Sequence, residues 1–418
     1  MGRTDLPLVA LSSIFFIAGA LYVGSPGLAS RTSMIYLDYN ATTPVAEAVL
    51  ERMLPYFTQH FGNASSSGHA FGWAADEAVS MAREQVAEAL GTTPETIVFT
   101  SGATEGANCA IKGIAEAYSR RGRHLITAVN EHKAVLDAHK ALQRQGFQIT
   151  TLPVDADGRV SVDDLEAALT DETTLVSVMW ANNEVGTIQP IAELADAAHA
   201  RGALFMTDAT QAVGKVPVSV ADSGVDVLVC SGHKVYGPKG VGALYLRRSG
   251  RPVRMAPLLN GGGQEQGQRG GTLNVPGIVG MGAALALAIR LLTDEAHRQA
   301  DLRDAFEARL RKAVPGLRIN GGGAPRLPNT ANVCFPDGVD GGLLMAWMRD
   351  VAVSAGSACA SGSGQASHAL TAMGLSAEEA GRSVRFSLGR RTTAADMDAA
   401  FASVLHTLER LNVVSPVS

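Results

Sequence analysis

No two of the four cysteines in this chain stand close enough to form a CxxC pair or a zinc-type cluster. Four thiols in 418 residues are also too few for a disulfide scaffold and point to reduced thiols in a cytoplasm. An excess of either charge is missing too: 35 Lys and Arg against 40 Asp and Glu leave −5, and the basic residues are scattered. Without a basic stripe there is no nucleic-acid footprint, so no direct nucleic-acid partner is expected. No internal repeat and no metal-ligand spacing appear, and no metal is expected. What remains is a protein acting on small molecules, long enough for two domains and a large core.

Long apolar runs are scarce as well, with one exception. "LPLVALSSIFFIAGALYV", Leu6 to Val23, is nearly long enough to span a bilayer, and "GLAS" just after it has the small residues of a cleavage site. Arg3 and Asp5 on one side and Arg31 on the other give little orientation signal. Three readings stand: an anchor, a cleaved signal, or sequence upstream of a working start at Met34, where globular patterning begins. A membrane partner is expected only if residues 6–23 are an anchor.

From about residue 95 to 246, short apolar runs alternate with helix-like stretches, as in parallel βαβ units. The runs are "TIVFT" (96–100), "HLITAV" (124–129), "TLVSVMW" (174–180), "ALFMTD" (203–208), "VDVLVC" (225–230) and "VGALYL" (241–246). The first five lead closely into polar residues: Thr104 and Glu105, Glu131 and His132, Asn182 to Glu184, Asp208 to Gln211, and Ser231 to Lys234. Ligands of open α/β sheets sit beyond the carboxyl ends of the strands, so five strands are expected to deliver polar groups to one rim. A Gly-rich segment (260–272) follows, then a helical stretch over about 277–313 that stops at Pro315-Gly316. The remainder mixes strands and helices.

Cys230 ends "VDVLVC", Cys334 sits in "ANVCF" and Cys109 in the helix-like "EGANCAIKGIAEAY". All three read as packed thiols. Only Cys359 lies in a loop, "SAGSACASGSG", whose Ser, Ala and Gly supply freedom to move. Lys234 in "SGHKVYGPKG" follows a buried strand, with Asp208 and His132 ending neighbouring ones. A buried lysine beside other cations can form a Schiff base, which pyridoxal phosphate requires together with an acid at its ring nitrogen. "VFTSGATEGAN" reads as strand, glycine and helix start, whose free N–H groups suit a phosphate. "GPKGVG" lacks P-loop spacing, and no GxGxxG follows the first strand.

These stretches, with "YLDYNATTP", "NEHKAVLD", "NNEVGTIQPI", "DATQAVGK", "GGGQEQGQRGGT" and "RFSLGR", resemble the cysteine desulfurases of the class V aminotransferase group, from about Ile35 to Leu411. The resemblance implies a fold-type I pyridoxal-phosphate-dependent transferase. Its α/β large domain would carry a mostly parallel seven-stranded sheet over residues 47–292. A smaller α+β domain would combine 34–46 with 293–418 and carry the Cys359 loop, leaving 1–33 as an extension. Lys234 would hold the cofactor covalently, Asp208 its ring nitrogen and Gln211 its ring hydroxyl. His132 would stack on the ring and assist proton transfer. Ala103, Thr104, Ser231 and His233 would hold the phosphate, with Thr272 reaching from a second subunit of a homodimer. Asn183 would serve the cofactor and, with Arg385, the substrate carboxylate. Cys359 would take sulfur from L-cysteine as a persulfide, releasing alanine, and pass it to an acceptor for iron–sulfur assembly or tRNA thiolation. The family's Arg-Ser-Gly-Thr is here Arg269-Gly-Gly-Thr272, which lacks one hydroxyl at the phosphate contact. Rival readings are a selenocysteine lyase or transaminase on the same fold, and a membrane-tethered scaffold without turnover.

Overall fold

The computed structural model describes residues 34–355 and 366–413; the apolar stretch at residues 6–23 and Cys359 lie outside the described residues. In chain order the strands are β1 (Ile35–Tyr36), β2 (Ile97–Thr100), β3 (His124–Ala128), β4 (Gln148–Leu152), β5 (Thr173–Ser177), β6 (Leu204–Asp208), β7 (Val227–Ser231), β8 (Gly242–Leu246), β9 (Arg318–Ile319), β10 (Thr330–Cys334), β11 (Val351–Ala352), β12 (Ser354–Ala355) and β13 (Ser383–Ser387). All six apolar runs form strands. A seventh, β4, is half exposed along the edge of the sheet, which explains why its polar "QITTL" carries no hydrophobic signal.

The large sheet has the order β2-β8-β7-β6-β5-β3-β4. Only β8 runs against its neighbours, pairing antiparallel with β2 and β7. The segment 232–241 explains this reversal, because a parallel return needs a crossover of about a dozen residues or more. The five strands β2, β3, β5, β6 and β7 therefore all point the same way, and their carboxyl ends share one rim. Successive side chains face opposite sides of a strand. Leu228 and Cys230 join the core on one face, Val227 and Val229 the core on the other.

A second sheet, β12-β13-β10-β9, is antiparallel. It packs with Phe306, Leu310, Val404 and Leu408, and Phe306 meets Phe386 edge-on with ring centroids 5.1 Å apart. The helix Val275–Ala313 joins the two regions. Its start, capped by the Asn274 side chain accepting from Gly277 N, buries Ile278, Met281 and Leu285 beside the large sheet, and its end buries Phe306 and Leu310 beside the small one. Its most apolar window is long enough to cross a membrane, but 56% of it is buried inside the protein. That hydropathy reflects internal packing.

The N-terminal segment ties the sheets together. β1 pairs with β11, Ser387 N donates to Leu37 O at 2.7 Å, and the chain then crosses to the rim of the large sheet at Asn40 to Thr43.

Candidate functional site

The rim encloses a cavity of about 580 Å³ lined by residues from both sheets and from the N-terminal segment. Of the residues named from the sequence, Ala103, Thr104, His132, Asn183, Asp208, Gln211, Ser231, His233, Lys234 and Arg385 all line it. Thr272 does not; it is exposed at the end of the Gly-rich segment. Cys359 lies outside the described residues.

One end of the cavity suits an anion. Helix Ala103–Ala117 begins at Gly102, whose φ of 152° lies in the region that favours glycine. A Cβ on Gly242 of β8 would stand 2.6 Å from the Gly102 Cα and 2.7 Å from Cys230 O, so the antiparallel strand can press against this turn only as glycine. The first turn lines the cavity together with Ser231 and His233, and a negative charge at its open N–H groups gains about 1 kcal/mol from the helix end. Burial pushes the His233 imidazole down to about 4, and Lys234 and Lys239 push the same way. The ring is thus a neutral hydrogen-bonding group, its Nδ1 3.1 Å from Thr42 Oγ1. Arg269 reaches back from the Gly-rich segment to Glu105 at 2.8 Å, fixing that segment to the same helix.

The middle of the cavity holds an amine and an acid. Lys234 ends a 3-10 turn directly after β7, and its Nζ donates to Asn40 O and Ala41 O, each at 2.6 Å. Asp208 ends β6, with Oδ1 accepting from Thr210 N at 2.9 Å. His132 caps helix Lys133–Gln143, its Nδ1 accepting from Ala134 N at 3.1 Å. Burial lowers the His132 pKa; nearby Asp208 opposes this, and Lys234 adds to it. Beneath it Glu131 is fully buried and accepts from Met179 N, and burial raises its carboxyl well above the usual range. The Thr210 hydroxyl, in the same cavity wall, is a buried polar atom with no partner among the described residues.

The far side presents a guanidinium. Arg385 on β13 is 1% exposed; its Nη2 donates to Asp38 Oδ1 at 2.6 Å and its Nη1 to Asn183 O at 2.9 Å. The main-chain carbonyl of Asn183 thus orients the arginine that the resemblance pairs with it for substrate binding.

Sequence reasoning gave no role to Asn40, Ala41 and Thr42, which line the cavity, the first two also supplying acceptors to Lys234. Their only signal was the "YLDYNATTP" match. His368 was also missed. It lines the cavity and places Nε2 2.9 Å from Glu131 O, while the neighbouring Ser367 hydroxyl donates to the buried Glu184 carboxylate. Lone histidines after a loop carry no pattern that singles them out.

The Aminotransferase class-V family matches residues 35–400. A cysteine desulfurase IscS from Anaeromyxobacter sp. (strain Fw109-5) is 50% identical over 383 residues, covering 92% of this chain and 94% of that protein. A cysteine desulfurase IscS from Rickettsia massiliae (strain Mtu5) is 44% identical over 393 residues, covering 94% and 95%. Among solved structures, a NifS-like protein superposes with a TM-score of 0.84 at 38% identity, over 90% of this chain and 100% of that one. SspA in complex with cysteine superposes with a TM-score of 0.76 at 40% identity, over 85% and 98%. With a seven-stranded, mostly parallel sheet, a smaller antiparallel one and these relatives along nearly its whole described length, the chain belongs to the class V aminotransferase family, among its cysteine desulfurases.

Proposed function

We propose that the protein binds pyridoxal 5'-phosphate in this cavity and removes sulfur from L-cysteine, giving L-alanine and a persulfide on Cys359. The observation that carries this reading is the meeting of Lys234, Asp208 and the first turn of helix Ala103–Ala117 in one cavity with the Arg385 guanidinium opposite. An amine, a carboxylate and an anion seat are what this cofactor needs, and the unpartnered Thr210 hydroxyl marks a polar wall built to face a ligand.

When bound, the cofactor supplies an electron sink for the charge left as a proton leaves the substrate's α-carbon. Lys234 would be its attachment point and the amine that moves that proton. Asp208 would hold a proton at the ring nitrogen. His132, kept neutral by burial, would accept or return protons beside the ring. Gln211 would serve the ring hydroxyl, while Ala103, Thr104, Ser231 and His233 would hold the phosphate. Arg385 offers the substrate carboxylate a guanidinium already fixed in orientation, for which it competes with Asp38. The Cys359 thiolate forms the new S–S bond as the substrate's C–S bond breaks, and the proton balance closes at the β-carbon, so one cysteine yields one alanine and one persulfide. Intact-mass analysis after incubation with cysteine is expected to show one added sulfur on the peptide holding Cys359. Alanine released with no such adduct would overturn the assignment.

A homodimer is part of this proposal. Phe57, Phe61, Phe71 and Trp73 are each more than half exposed, and the Phe61 and Phe71 rings lie 5.4 Å apart. Exposed aromatics in such a group favour a covering partner. Thr272, outside its own cavity, is then free to serve the partner's phosphate seat. Light scattering is expected to give twice the chain mass for the wild type and a monomer for Phe61→Asp/Trp73→Asp. A monomeric wild type would refute the dimer. The sulfur acceptor is proposed to be an iron–sulfur scaffold or a thiolation enzyme.

A further inference from the structure

Lys215 is a second lysine at the site, and the chemistry above does not use it. Its amine is sealed behind the cavity wall. Nζ donates to Gln211 Oε1 at 2.6 Å and to Asn40 Oδ1 at 3.0 Å, and among the described residues no carboxylate lies within ion-pair distance of it. Burial pushes this amine well below the ordinary lysine value, and Lys234 and Arg385 push the same way. Tyr39, Tyr236, Glu295 and Arg390 surround the small void behind it, about 20 Å³ in volume.

The two amides that Lys215 contacts are oriented by main-chain carbonyls. Gln211 Nε2 donates to Asn40 O at 2.9 Å, the same carbonyl that receives Lys234 Nζ. A carbonyl can only accept, so the Gln211 oxygen must face Lys215, leaving the NH₂ group on the cavity side. Asn40 Oδ1 accepts from Lys215 and from Asn329 Nδ2 at 3.0 Å, so its own NH₂ must point away, to Thr330 Oγ1 at 2.8 Å and Asn183 O at 3.2 Å. Asn183 O is in turn the carbonyl that orients Arg385. Two short chains of hydrogen bonds thus leave Lys215, one ending at the Lys234 wall and the other at Arg385.

We propose that Lys215 is a positioning residue that holds the Gln211 and Asn40 side-chain oxygens in place and, through these two amides, the placement of Lys234 and Arg385. The proposal rests on the pyridoxal-phosphate reading above. In the holoenzyme, Lys215→Met leaves the buried Gln211 oxygen without its donor, so the amide shifts and displaces its cavity-side N–H, which stabilises negative charge on the cofactor side. Its loss favours the protonated form, so the pH midpoint of the visible absorption band is expected to rise by about one unit. KM for cysteine is expected to rise on the order of tenfold as Arg385 loosens. Gln211→Leu with Lys215→Met should move the midpoint no further than Gln211→Leu alone. A lowered melting temperature with midpoint and KM unchanged would show a purely structural lysine and overturn the proposal, as would additive shifts in the double variant. Should the methionine variant not fold, Lys215→Gln, which keeps one donor, is expected to give an intermediate midpoint, and an unmoved one refutes the idea. A wild-type protein without any visible band would instead refute the cofactor reading itself.

Discussion

Lys234→Ala is expected to abolish sulfur removal from cysteine, a loss of at least about 10³-fold, because under the proposed mechanism it deletes both the attachment point and the amine that moves the α-proton. The cavity favours Lys234 over the neighbouring lysines for the proposed role. Lys133 and Lys239 also line the wall, but both are exposed. Lys215 is sealed behind Gln211 and Asn40. Only Lys234 is held at the floor, by two carbonyls at 2.6 Å. Borohydride reduction followed by peptide mapping is the check. The cofactor mass should appear on the peptide with Lys234 in the wild type and on no peptide in the variant. An adduct on Lys133, Lys215 or Lys239 in the wild type would displace Lys234 from its role.

Cys359→Ala should keep the visible absorption and lose all sulfur transfer from cysteine to protein. The other thiols cannot substitute. Cys109, Cys230 and Cys334 are between 1% and 2% exposed. Burial pushes Cys109 up to about 11 and Cys230 up to about 12, so neither offers a thiolate at neutral pH. The variant therefore separates a desulfurase from a transaminase of the same fold, which needs no loop thiol and would keep its turnover. Persulfide mass on any remaining cysteine would contradict the mechanism.

How much of this was legible beforehand depended on how local the signal was. The strand ends were readable because five buried runs each lead into polar residues within a few positions, and Asp208, Ser231, His233 and Lys234 all arrived at the rim that way. The "VFTSGATEGAN" turn was equally local. Other contributions were invisible for the opposite reason. Asn40 and Ala41 act through main-chain carbonyls, which every residue owns, and their partner is Lys234. Arg385 was named only through resemblance, since its orientation depends on Asp38 and on the Asn183 carbonyl from distant parts of the chain. The reversed β8 could be inferred only from the shortness of the link to β7. The role proposed for Lys215 needed the hydrogen-bond directions of two amides, which no spacing encodes.

The ion pair between Asp38 and Arg385 spans 347 positions of sequence. During synthesis the ribosome releases Asn40 and Ala41 early and Lys234 midway, but the guanidinium only near completion. A truncated chain can therefore present the lysine without the group proposed to anchor a substrate's carboxylate. Under that proposal, a chain ending before Arg385 is expected to lack sulfur removal.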